Sequence, residues 1–387
     1  YYDLMLRFSE MTDNIRHIPY VLYSWRESET STAANADAKP YAHVAGLKAL
    51  NDHLKRRYGK YAEAVETEYP FVYRARFHTL GDKPKVSIIM PMKDHWEMTK
   101  QCIDSISEKS TYENYEIILL DNRSEQPETH QWFEKLQKEN DRVTLVKADF
   151  EFNWSKLNNY GMKYASGDIF IFMNNDMKII SPDWMETLCE NAVREDIGVV
   201  GPLLLYEDGT VQHAGIIVGM GGWADHVYKE TKLSHTGTPY VSPMVNRNVT
   251  AVTGACMAVS RKTIEEIGGF DERFIICGSD VELCIRAYAY GRNNLYTPYA
   301  RIYHLESKSR DSYIPDVDFK MSYNCYTPFR EMGDPFYNIQ LDKKRTAPRE
   351  SHSKPDFEEI RQQLQRKRLD KATYDALRQQ VDSVGEQ

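Results

Sequence analysis

At 387 residues the chain is long enough for one large domain or two ordinary ones, and a 41% hydrophobic fraction with 26 tyrosines can build a sizeable core. A formal net charge of −8 excludes a general nucleic-acid binder, so an anionic ligand has to be met locally, by a metal ion or a few placed basic groups. Six cysteines without a CxxC pair read as reduced, mostly buried thiols of a cytoplasmic protein, and no apolar run approaches the ~18 residues that span a bilayer.

Residues 1–60 read as two helices around the polar break RESETSTAANADAKPYAH, and 61–84 as a Tyr- and charge-rich connector. Short β-branched runs then mark strands at 86–90 (VSIIM), 115–120 (YEIILL), 143–146 (VTLV) and 168–173 (DIFIFM). Helical patterns lie between them at 95–108, 127–139 and 155–165. This alternation predicts βαβ units, hence an α/β fold with a mostly parallel sheet covered on both faces. After 176 the alternation loosens, with helices expected at 182–195, 261–267 and 280–290, a Gly-rich loop at 219–225 and a strand, ARIYH, ending at His304. From 311 to about 340 the chain reads as aromatic and irregular. From 355 it reads as a charged helix with a thin stripe of Phe357, Ile360, Leu364, Leu377 and Val381. The stripe is expected to dock on the body or on a partner subunit. The basic run RKRLDK at 366–371 offers a second reading, approach to an anionic membrane surface at the inner face of the plasma membrane.

Open parallel sheets bind ligands at the carboxyl ends of their strands. The first of these ends carries PMKD rather than GxGxxG, and no Walker loop occurs anywhere, so a dinucleotide or P-loop reading lacks its phosphate cradle. The second strand ends in Asp121-Asn122-Arg123-Ser124 and the fourth in Asn174-Asn175-Asp176. Polar and acidic side chains at one sheet edge suit a nucleotide whose phosphates are held through Mg²⁺ or Mn²⁺.

The ordered blocks VSIIMPMKD, ILLDNRS, LNNYGMKYASGDIFIFMNNDMKI, SPDW, YEDGTVQHAG, VTGACMAVSRKTIEEIGGFDERF, SDVELCIRAYAYG and YHLESKSR resemble those of a family-2 glycosyltransferase with a GT-A fold. The resemblance covers 85–310 and is nearest to bacterial enzymes of O-antigen, capsule and rhamnan assembly, rhamnosyltransferases among them. It implies a GT-A domain with helical N- and C-terminal extensions, 311–387 forming the latter. It implies inverting transfer from a nucleotide diphosphate sugar, dTDP-rhamnose or a UDP-hexose, to a hydroxyl of a surface polysaccharide or lipid-linked glycan.

The resemblance also assigns residues. Asp121 would accept from the N3–H of the base, with Pro91 and Lys93 at the nucleoside, Lys93 being atypical there. Asn153 and Asn159 would line the donor pocket, with Lys156 near a phosphate. Asn174 and Asn175 would join the nucleotide-sugar contacts, Asn174 at the ribose or sugar. Asp176 and His304 would hold the Mn²⁺ or Mg²⁺, and Ser309 and Arg310 would face the diphosphate. Gly254 and Ala255 would lie close to the transferred sugar, and Asp280 would be the general base, with Ser279 where the family usually has Glu. His213, Trp223 and His226 would wall the acceptor side, supported by Glu282. Without the resemblance, Asp121 reads as closing a βα turn, Asp280 as capping a helix and His304 as an ordinary strand-end histidine. The rival reading, a non-catalytic GT-A module that binds nucleotide or glycan as a scaffold, rests on Ser279 and Asn174.

A last feature is internal similarity. YDLMLR at 2–7 reads like VELCIR at 281–286, and Pro19 aligns with Pro298 in the same register. Residues 1–60 are therefore expected to be the helical tail of an upstream GT-A domain, in a fragment of a two-transferase protein. That domain, or a second copy of the chain, joins the donor and acceptor as an expected partner.

Overall fold

The computed structural model describes residues 1–20, 22–23, 40–78, 83–235, 240–305 and 314–384. They divide into two compact units, Tyr1–Asp82 with Ser353–Arg366, and Lys83–His352 with Lys367–Gln387.

The first unit holds α1 (Tyr2–Ser9), α2 (Pro40–Tyr58) and a hairpin of β1 (Ala62–Glu66) and β2 (Tyr73–Phe77), together with a later helix at Phe357–Gln365. The stretch expected as a connector is thus an antiparallel hairpin, Ala62 opposite Phe77 and Glu66 opposite Tyr73. Its signal is the alternation AEAVE. Ala62 and Ala64 point inward onto Leu54 of α2, while Glu63 between them faces water. Asn51 of α2 pins the strand by exchanging two bonds with Ala64, its Oδ1 accepting from the N–H at 2.9 Å and its Nδ2 donating to the carbonyl at 3.0 Å. The similarity of 2–7 to 281–286 appears as a helix at both places. Among the described residues of 14–23, however, no strand answers to the one ending at His304. An isolated strand has no ladder partner to hold it.

The second unit runs β3 (Val86–Met92), α3 (Trp96–Lys109), β4 (Tyr115–Asp121), α4 (Pro127–Glu139), β5 (Val143–Lys147), α5 (Trp154–Met162), β6 (Ile169–Met173) and β7 (Met177–Ile179). It continues with α6 (Trp184–Ala192), β8 (Ile197–Leu205), β9 (Val211–His213), β10 (Ile216–Val218), β11 (Ala224–His226), β12 (Arg247–Val249), β13 (Cys256–Ser260) and α7 (Arg261–Ile267). Then come α8 (Ser279–Ala289), β14 (Asn293–His304), α9 (Asp316–Cys325) and α10 (Thr327–Met332); the helix Phe357–Gln365 is α11, and α12 is Lys371–Val384.

The central sheet is ordered β12-β14-β8-β13-β6-β3-β4-β5. It is parallel across β6-β3-β4-β5 and again between β8 and β14, with β13 entering antiparallel between β6 and β8. Successive residues of the central strands feed opposite cores. Ile88, Leu119 and Ile171 join Cys102, Phe133 and Leu188 on one face, while Ile89, Leu120 and Phe172 join Leu157, Leu283 and Ile285 on the other. Strands buried on both faces must be apolar throughout, which is why IFIFM has no polar alternation.

The expected single tail helix is two. Phe357 is 76% exposed whereas Ile360 is buried, so the proposed stripe is not one continuous docking face. Two residues of the basic run pack on the body. Arg368 donates to the carbonyl of Tyr288 at 2.8 Å and lies 3.9 Å from the centroid of that ring, and Lys371 covers the Tyr290 ring. No described helix is long and apolar enough to cross a membrane.

Candidate active site

Met92 stands opposite Asp121 at the parallel ends of β3 and β4. Asp121 is buried there, and its Oδ1 accepts from the Ser124 N–H at 2.9 Å. The two following loops are tied by Asp94, a residue that sequence reasoning missed. Its Oδ1 accepts from the N–H groups of Glu125 and Gln126, both at 2.9 Å, and its own N–H donates to Ser124 Oγ. Asp94 and His95 hold left-handed φ of 50° and 49° to make this turn. Pro91 sits half-buried in β3 beside Leu120. Lys93 lies outside the wall in an exposed pair with Glu125 at 3.2 Å, a contact worth about 0–1 kcal/mol.

α5 forms an adjoining wall. Asn153 caps it by accepting from the Lys156 N–H and donates to the Glu272 carbonyl, both at 2.8 Å. Asn159 donates to the Phe270 carbonyl and accepts from the Phe270 N–H, again at 2.8 Å. Both asparagines, expected in the donor pocket, thus staple α5 to the segment 270–272. Lys156 reaches over the Phe150 ring at 4.6 Å.

β13 runs beside β6 with Cys256 opposite Met173, which brings Gly254 and Ala255 against the turn Asn174-Asn175-Asp176. The Asn174 N–H donates to the Ala255 carbonyl at 2.9 Å. Asn175, expected among the nucleotide-sugar contacts, donates to Thr99 Oγ1 of α3 at 2.8 Å. β7 pairs with β14, Met177 opposite His304, and this register carries the neighbouring Asp176 to the histidine. Asp176 Oδ1 and His304 Nε2 lie 3.1 Å apart, both side chains about 10% exposed.

The other imidazole nitrogen, Nδ1, is 2.6 Å from Gln212 Oε1. The tautomer with its proton on Nδ1 donates to that oxygen and leaves Nε2 as a lone pair, toward which Asn174 Nδ2 also points at 3.5 Å. A lone pair then faces a carboxylate oxygen at 3.1 Å, an arrangement that a divalent cation relieves. The residues present therefore fit a cation. Among the described residues no cluster of three or more His, Cys, Asp or Glu could hold a metal, so this pair would supply two ligands and leave other positions to phosphate oxygens or water. Gln212 was also missed. A strand at 211–213 would have revealed it, since alternate residues leave opposite faces, Gln212 to His304 and His213 to the core.

Asp280 stands in the first turn of α8, after Gly278 with φ of 97°. Its Oδ2 accepts from the Gly254 N–H at 2.8 Å and its Oδ1 from the Val281 N–H at 2.9 Å. A Cβ at Gly254 would lie 2.7 Å from the Trp154 ring and 3.2 Å from Asp280 Cβ, so this approach needs glycine. Burial raises the Asp280 carboxyl above the usual aspartate range, with the backbone N–H donors pulling the other way.

Two acceptor-side expectations are corrected. Glu282 faces inward, buried in an ion pair with Arg286 at 2.6 Å and accepting from the Tyr374 hydroxyl. His213 is fully buried, its Nδ1 3.0 Å from His226 Nδ1. Burial holds His213 well below the usual histidine range and takes His226 down to about 4. Trp223 is exposed by 37% and packs on Phe319 at 5.3 Å. Ser309 and Arg310 lie outside the described residues.

Residues 87–268 match Glycosyl transferase family 2, a span that contains Asp121, Asp176 and Gly254 and ends before Asp280 and His304. O-antigen biosynthesis protein RfbC of Myxococcus xanthus is 41% identical over 88% of this chain and 26% of its own length. The uncharacterized protein y4gI of Sinorhizobium fredii is 39% identical over 80% of this chain and 34% of its own. The chain therefore spans about a quarter to a third of the length of these curated relatives. The crystal structure of GalNAc-T7 with UDP, GalNAc and Mn²⁺ shares the fold, with a TM-score of 0.51 at 16% identity over 65% of this chain and 50% of that one. With the polar carboxyl edge of its sheet built as described, the chain carries a family-2 glycosyltransferase domain of GT-A fold.

Proposed function

We propose that this domain transfers a sugar, with inversion, from a nucleotide diphosphate sugar to a hydroxyl of a growing bacterial surface polysaccharide or lipid-linked glycan, at the cytoplasmic face of the plasma membrane. One observation carries the reading. A continuous set of contacts joins the candidate base to the candidate cation pair, from Asp280 to the Gly254 N–H, from the Ala255 carbonyl to the Asn174 N–H, and through the Asn174 amide to His304 and Asp176. The relatedness to an O-antigen biosynthesis protein supports the acceptor class.

Asp176 and His304 would hold a divalent cation, which would supply charge neutralisation for the departing nucleoside diphosphate. Gln212 keeps Nε2 of His304 free to bind it. Asp280 accepts the proton of the attacking hydroxyl, and the Gly254 N–H fixes one of its oxygens while it does so. The hydroxyl displaces the diphosphate from the opposite side of the anomeric carbon, which inverts that centre. Asp121 ends β4 where a base N–H can be accepted; thymine and uracil both offer one, consistent with dTDP-rhamnose or a UDP-hexose as donor.

A panel of dTDP- and UDP-sugars tested by thermal shift with Mn²⁺, followed by nucleoside diphosphate release, examines this reading. The expected result is a rise in melting temperature with the true donor, since a ligand of the folded state stabilises by mass action, and turnover that stops on chelation. Turnover indifferent to chelator would remove Asp176 and His304 from their roles.

A further inference from the structure

The segment before Asp280 is held by a helix that lies beyond the matched family span. Three successive backbone N–H groups, from Ile275, Ile276 and Cys277, converge on one carboxylate, that of Asp318 in the first turn of α9, at 2.7, 2.8 and 3.0 Å. Asp318 is fully buried and uses both oxygens. Successive N–H groups aimed at one point form an anion-binding nest, and here the chain fills it with its own carboxylate.

The next positions at the same spacing, Ser322 in α9 and Tyr326 at its C-cap, continue the contact. Ser322 Oγ packs so closely that a Cβ at Gly278 would lie 2.6 Å from it, and the Tyr326 hydroxyl donates to the Gly278 carbonyl at 3.3 Å. Residues 318, 322 and 326 recur every four residues, so one helix face follows the segment up to the residue that caps α8. From the other side the Trp154 N–H donates to the Ile275 carbonyl at 2.8 Å, and the Trp154 ring lies against Gly254. Gly254 in turn donates to Asp280.

We infer that Asp318 is a positioning residue for the reaction: with Tyr326 it clamps Ile275–Gly278 and thereby fixes where α8 presents Asp280. The inference rests on Asp280 being the base proposed above. A carboxylate accepting three N–H bonds is strongly held, and no neutral side chain offers the same two acceptor oxygens.

The test compares the wild type with Asp318→Asn, Asp318→Ala and Tyr326→Phe. Asp318→Ala is expected to lower kcat about 10²-fold, the order of effect of a small misplacement of a reacting group. The KM for donor, the calorimetric binding of UDP or dTDP with Mn²⁺, and the folded fraction should stay unchanged. Asp318→Asn keeps the shape and one acceptor oxygen, so it should fall between, and it keeps the test alive if the alanine variant does not fold. The acidic limb of the kcat/KM profile should move to higher pH in both, because a displaced α8 loosens the Gly254 N–H bond that favours the charged form of Asp280. A purely structural role would lower activity in proportion to the folded fraction and leave that limb in place, which would overturn the inference, as would a folded Asp318→Ala with unchanged kcat. Wild-type turnover in the same assay separates the two failures. An inactive wild type overturns the proposed function on which the clamp depends, and an active wild type with an equally active variant overturns the clamp alone.

Discussion

At the amino ends of β3, β4 and β6, Glu116 accepts from Lys85 Nζ at 2.8 Å, Ser87 Oγ at 2.7 Å and the Ser166 N–H at 2.7 Å. Burial works against its charge, yet these donors bring its carboxyl down to about 2. At the carboxyl end of the same sheet, Asp280 is also buried and bonded to backbone N–H groups, but without a cation beside it its carboxyl is raised. One edge surrounds Glu116 with a surplus of donors and makes it inert; at the other, burial outweighs the donors of Asp280 and makes it responsive. Perturbation of the second kind, beside a pair that suits a cation, is what the proposed function requires of the working edge.

Mutations can break this comparison, and the largest effect is expected at the cation pair. Asp176→Ala should reduce turnover on the order of 10³-fold, the several kcal/mol that a cation contributes to a departing diphosphate, with loss of Mn²⁺-dependent nucleotide binding. Glu282→Gln strands the buried Arg286 charge, so urea unfolding should show a loss of about 3–5 kcal/mol. The surviving folded fraction should keep its specific activity, because Glu282 faces the core. Gln212→Leu removes the acceptor that fixes the His304 tautomer, and the Mn²⁺ concentration for half-maximal activity should rise about 10- to 100-fold with little change in fold.

The smallest effect belongs to the inert edge. Glu116→Gln should cost about 1–3 kcal/mol of stability at neutral pH and leave kcat alone. The sign of its pH dependence follows from the depressed folded value. The wild-type contribution of Glu116 is present above the ordinary 4.5 and is lost as pH falls through about 2, so the stability gap between the proteins should close over that window. An activity loss in Glu116→Gln matching that of Asp176→Ala would dissolve the distinction between the edges.

The parallel half of the sheet is legible in sequence because strands buried on both faces are unbroken apolar runs. β8 and β13 escape that reading. IGVVGPLLL is punctuated by Gly198, Gly201 and Pro202, and CMAVS is too short to separate from the helix it precedes. Asp121, Asp176, Asp280 and His304 enter the candidate site through ordered motif blocks. Gln212, Asp94 and Asp318 are not, because their roles arise from register and from chain segments brought together across long separations. The reverse error has the same origin. Glu282 and His213 look functional by type, but a strand or helix period decides which face they take, and both turn inward.

The most direct test pairs two measurements on Asp280→Asn: calorimetric binding of UDP or dTDP with Mn²⁺, and release of nucleoside diphosphate from the matching nucleotide sugar in the presence of acceptor. The account predicts wild-type nucleotide affinity with turnover lowered by about 10²- to 10⁴-fold, the usual contribution of a general base. It also predicts that the acidic limb of the wild-type kcat/KM profile lies above the ordinary aspartate pKa of about 3.9. Wild-type turnover by Asp280→Asn would contradict it.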